Sequence, residues 1–276
     1  MTTRRTFLAA GLAGPLAAAQ GGGLTLGVMD GVLRQSTKPE ALAVAKSFAM
    51  PALQVTLGRP AADGRLPLED PALQARYVAE ARRQGVVIDA TYLDVLHVNC
   101  LKDDELARTW VRKGIEITRK LNARILMTVF FGKCALGSRQ EIDAAADAFK
   151  ELAREAEKAD VVLGFENLLT AEDNARAMDR VGSRAFKIYY DAGNATNMVG
   201  VDAIKEIRWL GRDRICQFHF KDQGYLGEGK VDYPAVLRAI SDIGFRGYAN
   251  LETSAPSGNW ESDLKRNIAY LNGLMK

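Results

Sequence analysis

Eight short apolar runs, each followed by an amphipathic stretch, leave this chain very few architectures. The runs are LTLGVMD (24–30), PALQVTLG (51–58), VVIDATYL (86–93), ARILMTVF (123–130), DVVLGFEN (160–167), FKIYYDAGN (186–194), RICQFHFKD (214–222) and GYANLETS (247–254). Between them lie patterns of helical period such as DDELARTWVRKGIEITRKL (103–121) and RQEIDAAADAFKELAREAEKA (139–159). In the second, Ile142, Ala145, Ala146, Phe149, Leu152, Ala153 and Ala156 recur at helical spacing, and charges fill the other face. A length of 276 residues leaves room for one large domain. Eight strands, each followed by a helix, with no second-domain insertion, predict a single α/β domain: a (β/α)8 barrel of parallel strands. The rival is an open doubly wound sheet, but no GxGxxG follows the first run.

The residues ahead of the first run read differently. Thr3-Arg4-Arg5-Thr6-Phe7-Leu8 precedes a small-residue apolar stretch that ends at Ala17-Ala18-Ala19. Charged region, apolar region and cleavage site come in the order of a twin-arginine export signal. The expectation is a signal over 1–19 and a barrel over 20–276, entered through Gly21-Gly22-Gly23 and exported to the periplasm. The apolar stretch is too short and too rich in glycine for a transmembrane helix, and no later segment reaches spanning length. No membrane insertion is therefore expected once the signal is removed. Loss of Arg4 and Arg5, with no acidic residue, takes the formal charge from +3 to +1. No basic block remains, so no nucleic-acid partner is expected. Cys100, Cys134 and Cys216 form no CxxC and have apolar neighbours, which predicts free thiols in the core.

Strand alternation then sorts the side chains. In the seventh run His219 shares a face with Gln217 and Lys221, and Cys216, Phe218 and Phe220 take the other. In the eighth, Glu252 shares a face with Asn250 and Tyr248; in the fifth, Phe165 and Leu163 point outward and leave Glu166 inside. The sixth puts Asp191 on the face of Tyr189. Glu166, Asp191, His219 and Glu252 thus stand near the C-terminal ends of four consecutive strands and face one mouth. In such barrels that rim carries the chemistry.

Three carboxylates and an imidazole suit Mn²⁺, Mg²⁺, Zn²⁺ or Co²⁺ with positions left open for substrate. Cysteine is absent from the set, unlike structural zinc sites. An open cation can hold adjacent sugar oxygens and stabilise an enediolate, while two glutamates on separate strands take and return a proton. Taken singly, each residue has a plainer use: a strand-end Glu or Asp caps a helix, with Thr253-Ser254 following Glu252, and a lone His is a hydrogen-bonded core residue. Four in register favour the functional use. His97, just past the third run, and Lys221, on the His219 face, are candidates for substrate contact, against a core His and a salt bridge. Asn167 is a further candidate for substrate contact, and otherwise orients Glu166 or caps the next helix. Leu226–Lys230 forms either a glycine-hinged lid or a tight loop. Trp260 contacts substrate or packs.

The segments Gly164-Phe165-Glu166-Asn167, Tyr190-Asp191-Ala192-Gly193-Asn194, His219-Phe220-Lys221-Asp222 and Leu226-Gly227-Glu228-Gly229-Lys230-Val231-Asp232-Tyr233 resemble the xylose-isomerase-like sugar isomerase/epimerase superfamily. The likeness runs over roughly 160–254, and the eight-strand plan extends it. It implies one divalent metal, manganese first, held by Glu166, Asp191, His219 and Glu252. It also implies that Glu166 and Glu252 are the acid/base pair flanking the reacting carbon, and that a small carbohydrate is the substrate. Many ketose epimerases of this kind carry a second His three residues after the metal Asp. Here that residue is Asn194, which can bind a hydroxyl but cannot carry a proton, so no particular epimerase substrate carries over.

The leading expectation is a metal-dependent isomerase or epimerase of a free sugar or keto-sugar derivative. The alternatives are a keto-sugar lyase, dehydratase or hydrolase on the same site, and an exported barrel that binds sugar without turnover. Endonuclease IV, which shares the barrel, needs a histidine-rich cluster; this chain has only His97 and His219. The oligomeric state is left open, a homo-oligomer included.

Overall fold

Each of the eight runs forms a strand, and the strands pair in chain order into a closed parallel barrel. The computed structural model describes residues 23–276; the export signal read over 1–19 lies outside the described residues. The strands are β1 (Leu24–Met29), β2 (Ala52–Thr56), β3 (Val87–Tyr92), β4 (Ile125–Val129), β5 (Val162–Glu166), β6 (Phe186–Asp191), β7 (Ile215–Phe220) and β8 (Gly247–Leu251). β8 returns to β1 with Leu24 opposite Gly247 and Val28 opposite Leu251, which closes the ring. Around it run α1 (Ala41–Ser47), α2 (Pro71–Gln84), α3 (Glu105–Lys120), α4 (Arg139–Ala159), α5 (Ala171–Val181), the single turn α6 (Ala192–Asn194), α7 (Ala203–Arg214), α8 (Tyr233–Asp242) and α9 (Trp260–Leu274). None is long and apolar enough to cross a membrane among the described residues.

Local chemistry sets these boundaries. Ser138 caps α4 by accepting from the Glu141 N–H at 3.2 Å, and Asp104 caps α3 by accepting from Leu106 and Ala107. All seven apolar positions that the helical period picks out in α4 are buried. They press on the outward faces of the strands, where Phe165 meets Phe130 (centroids 4.9 Å) and Phe186 (5.2 Å), and Phe149 of α4 covers them. With Phe165 committed to this layer, alternation turns Glu166 inward. Inside the barrel, β1 carries Gly27 because a Cβ there would lie 2.1 Å from Asn250 Oδ1.

Two expectations need correction. The sixth run is extended only to Asp191; its Oδ1 accepts the Asn194 N–H at 2.9 Å and starts the helical turn α6 instead. The cysteines are not three free thiols either. Cys100 and Cys134 form a disulfide, and Cys216 alone is free, its thiol donating to the Ile188 carbonyl at 3.2 Å. Burial pushes that thiol up to about 12. The disulfide joins the loops that follow β3 and β4, which are 34 residues apart in sequence but adjacent because their strands pair.

Candidate metal centre

The four residues expected at the mouth do converge. Glu166 ends β5, Asp191 ends β6 opposite His219 of β7, and Glu252 follows the last residue of β8. Each offers a ligand atom, and the four atoms all lie within 4.8 Å of one another. His219 Nδ1 stands 3.0 Å from Glu166 Oε1 and 3.1 Å from Glu252 Oε2. Glu166, Asp191 and His219 are buried, while the Glu252 side chain is 32% exposed and opens the cluster to the mouth.

Charge explains how this cluster holds together. Burial alone would depress His219, but Glu166 and Glu252 outweigh it and bring its pKa up to about 10. Burial drives Asp191 up to about 7 against the pull of Lys221. Burial also works to raise Glu252, yet His219 and Lys221 prevail and hold its carboxyl below the ordinary range. The Lys221 ammonium lies 2.8 Å from Glu252 Oε2 and 2.9 Å from Asp191 Oδ2. The first contact is a hydrogen bond; the second is an ion pair without hydrogen-bond alignment, so buried Asp191 Oδ2 has no hydrogen-bond partner.

These residues fit a divalent cation. Oxygen donors and one imidazole are the chemistry such ions take, and Asp191 Oδ2 is a buried acceptor that has the Lys221 charge beside it but no hydrogen bond among the described residues. The ring orientation is also set. His219 Nε2 donates to Gln54 Oε1 on β2 at 2.7 Å, so Nδ1 is the nitrogen that faces the carboxylates; it carries the second proton in the metal-free cluster and would give it up to offer a lone pair to a cation. Gln54 Nε2 in turn contacts Met127 Sδ at 3.3 Å.

Beneath lies a second polar layer. Asp89 of β3 accepts from Gln217 Nε2 and, at 2.8 Å, from Asn250 Nδ2, which also reaches the Tyr189 hydroxyl at 3.2 Å. Burial pushes Asp89 up to about 6, with Asn250 and Gln217 opposing. Sequence reasoning missed Gln54 and Asp89. Their signal was a polar residue in the middle of an apolar run, as in PALQVTLG and VVIDATYL.

The remaining candidates divide. His97 lies at the mouth, its Nε2 2.7 Å from the Tyr92 hydroxyl and its ring stacked on Phe131 at 5.8 Å. Asn194 is buried beside Asp191, with its side-chain amide nitrogen unpartnered. Asn167 turns away from Glu166: its amide donates to Phe165 O and Asn174 Oδ1, and its oxygen accepts from Leu169 N, which organises the loop ahead of α5. Thr253 does not cap; α9 is capped by Asn259. The segment 226–230 is a fastened loop and not a lid. Asp222 accepts from the N–H groups of Gln223, Lys230 and Val231, and Leu226 N–H donates to Asn267. Gly229 is required there, since a Cβ would lie 2.2 Å from Asp222 Oδ1.

A cavity of about 670 Å³ is at the other end of the barrel against Leu24, Phe245 and Met275, and no acidic or histidine side chain among the described residues lines it. Another, about 470 Å³, adjoins Glu252.

Comparison with known proteins bears on this geometry. The model of the xylose isomerase-like TIM barrel family matches residues 42–274. The D-psicose 3-epimerase of Enterocloster bolteae is 27% identical over 201 residues; the match takes in 64% of this chain and spans 65% of that protein's length. Among solved structures, an L-ribulose 3-epimerase superposes with a TM-score of 0.75 at 18% identity, over 91% of this chain and 94% of its own. The 3-keto-D-glucoside 4-epimerase of E. coli does so with a TM-score of 0.74 at 13% identity, over 91% and 100%. At these identities the likeness to the solved structures is one of fold.

Proposed function

We propose, since the chain belongs to the xylose isomerase-like TIM barrel family, that it is a divalent-metal-dependent epimerase or isomerase of a free sugar or keto-sugar derivative. The observation that carries this reading is the mutual approach of Glu166, Asp191, His219 and Glu252, with oxygens of two glutamates from separate strands at 3.0 and 3.1 Å from one imidazole nitrogen. Relatives that act on ketoses support it, D-psicose 3-epimerase among them.

Glu166, Asp191, His219 and Glu252 would hold the cation, manganese first, with zinc, magnesium or cobalt as alternatives. When bound, it supplies a Lewis acid for adjacent carbonyl and hydroxyl oxygens of the sugar. One glutamate takes the proton from the carbon beside the carbonyl; the C–H electron pair becomes a C=C bond and the carbonyl π pair moves onto oxygen as the enediolate forms. The other glutamate, protonated at the start of the cycle, delivers its proton to the opposite face as the pairs return, which inverts that carbon. Lys221 keeps Glu252 ionised and stands ready to hydrogen-bond a substrate oxygen. Gln54 holds the His219 ring in place. Asn194 and His97 are further substrate contacts in this reading; Asn167 acts by shaping the loop.

We propose that the reaction takes place outside the cytoplasm. The Thr3–Leu8 pattern and the Ala17–Ala19 cleavage site support export, and the Cys100–Cys134 bridge suits an oxidising compartment.

The test is proton NMR of manganese-loaded protein in D₂O with free ketoses, aldoses and 3-keto-glycosides, quenched and stripped of metal. Deuterium beside the carbonyl is expected, and product peaks separate inversion from loss of a leaving group. Exchange that continues undiminished after Glu166→Gln and Glu252→Gln together would overturn the proposal.

A further inference from the structure

Glu252 has two sides. One faces the metal cluster, and the other forms a wall of the 470 Å³ pocket, which none of the four ligand candidates otherwise enters. Met29 at the end of β1 and Val32 and Arg34 in the connection after it line one side; Thr253 in the connection after β8 and Trp260 at the start of α9 line the other. Its volume falls within the range of whole small-molecule sites, about 300–1,000 Å³.

Both walls are built to stay in place. Asp30 is fully buried at the end of β1; its carboxylate accepts from Thr56 Oγ1 at 2.6 Å, Thr56 N–H at 2.8 Å and Thr37 N–H at 3.3 Å. Its carbonyl accepts the Gln35 N–H at 3.0 Å. Within that clamp Arg34 adopts φ = 58°, a left-handed conformation that a non-glycine residue keeps only when its surroundings impose it. Opposite, Trp260 leans on Phe48 with ring centroids 5.7 Å apart. Thr253 is buried, and its hydroxyl has no partner among the described residues.

We infer that this pocket receives a second ring carried by the substrate, so the substrate class is a keto-glycoside and not a free monosaccharide. The inference rests on the epimerase or isomerase reading of the metal cluster. A ring that reacts at Glu252 occupies one side of that carboxylate, so a group in the pocket on its other side is one attached to the reacting ring. An indole beside the apolar Met29 and Val32 suits a ring that presents a flat C–H face, as an aryl group or a second sugar does. Arg34 at the rim adds a fork of N–H donors for hydroxyl oxygens.

Calorimetry on the manganese-loaded protein tests this without turnover, using methyl β-D-glucopyranoside, phenyl β-D-glucopyranoside and cellobiose as non-reacting probes. At least one of the two-ring probes is expected to bind ten times more tightly than the methyl glycoside or better. Advantage for phenyl alone identifies an aryl aglycone, for cellobiose alone a sugar. Val32→Trp, which fills the pocket, and Trp260→Ala, which removes the wall, each bring the ratio to about one, with folding checked by thermal melting. Equal or absent binding of all three probes overturns the inference, and so does a ratio that survives in both variants. Failure of the cluster's chemistry shows separately, as an absence of deuterium exchange.

Discussion

The two halves of the barrel contribute differently to the site. β5–β8 supply the candidate ligands, with Glu166, Asp191 and Glu252 at or just past strand ends and a ligand atom of each in the cluster. In β1–β4, Gln54 and Asp89 lie within the strands and serve the other half: Gln54 of β2 fixes His219 of β7, and Asp89 of β3 holds Gln217 of β7 and Asn250 of β8. One half presents the donors and the other keeps them oriented, across the barrel interior and not along the chain. A metal ligand's geometry is therefore a property of strands far apart in sequence.

The sharpest way to break this division is to remove the two glutamates proposed as proton carriers. Glu166→Gln or Glu252→Gln is expected to lower kcat by about 10²–10⁴-fold in steady-state epimerisation, the usual worth of a positioned acid or base. A supporting residue in β1–β4 should do nothing comparable to kcat.

Asp89 tests whether the supporting half matters to stability. Its pKa rises from 3.8 to about 6 on folding, so its contribution is fully present below about pH 3.8 and is lost as pH climbs through about 6. At roughly 1.4 kcal/mol per unit, the loss is on the order of 3 kcal/mol. Asp89→Asn removes that loss. Urea midpoints of the metal-free protein between pH 4 and 7 should therefore fall less steeply in the variant. Asp30, raised to about 6 by burial, leaves part of the slope in both.

Gln54→Leu sharpens the comparison at the metal. It leaves all four ligand residues in place but frees the His219 ring. A loss of about 10–100-fold in Mn²⁺ affinity is expected by calorimetry, typical of outer hydrogen-bond partners. Unchanged affinity would mean that β2 only fills space.

The smallest effect belongs to His97. Its hydrogen bond to Tyr92 and its stack on Phe131 place it on the mouth wall away from the glutamates. One hydrogen bond is worth about 0.5–1.5 kcal/mol net. His97→Phe should thus change KM by less than about tenfold and leave kcat near its starting value.

How much of this was legible in the sequence follows the same division. Strand-end acids show because apolar runs stop at them, so Glu166, Asp191, His219 and Glu252 could be placed together by alternation alone. Gln54 and Asp89 look like flaws in their strands; nothing local says which of seven other strands they face. The Cys100–Cys134 bridge was hidden for a related reason, since only the pairing of β3 with β4 brings its two loops together. For Asn167 the spacing left substrate contact, a bond to Glu166 and a helix cap open, and its bonds to Phe165, Leu169 and Asn174 within its own loop show only in the fold. The fastened 222–232 loop depends on how many N–H groups one aspartate collects, and spacing does not count them.

Closure of β8 onto β1 also bears on the order of events at the ribosome. Glu252 and the Trp260 wall emerge after every other residue of the centre, and they take their places only when Leu24–Val28 has found Gly247–Leu251. A nascent chain stalled before β8 would hold three of the four donors on an open sheet, and with them neither a complete coordination set nor an enclosed mouth. Capture of a metal would thereby wait for the synthesis of β8, and a chain stopped before it would give free ions in the cell no finished site to compete for.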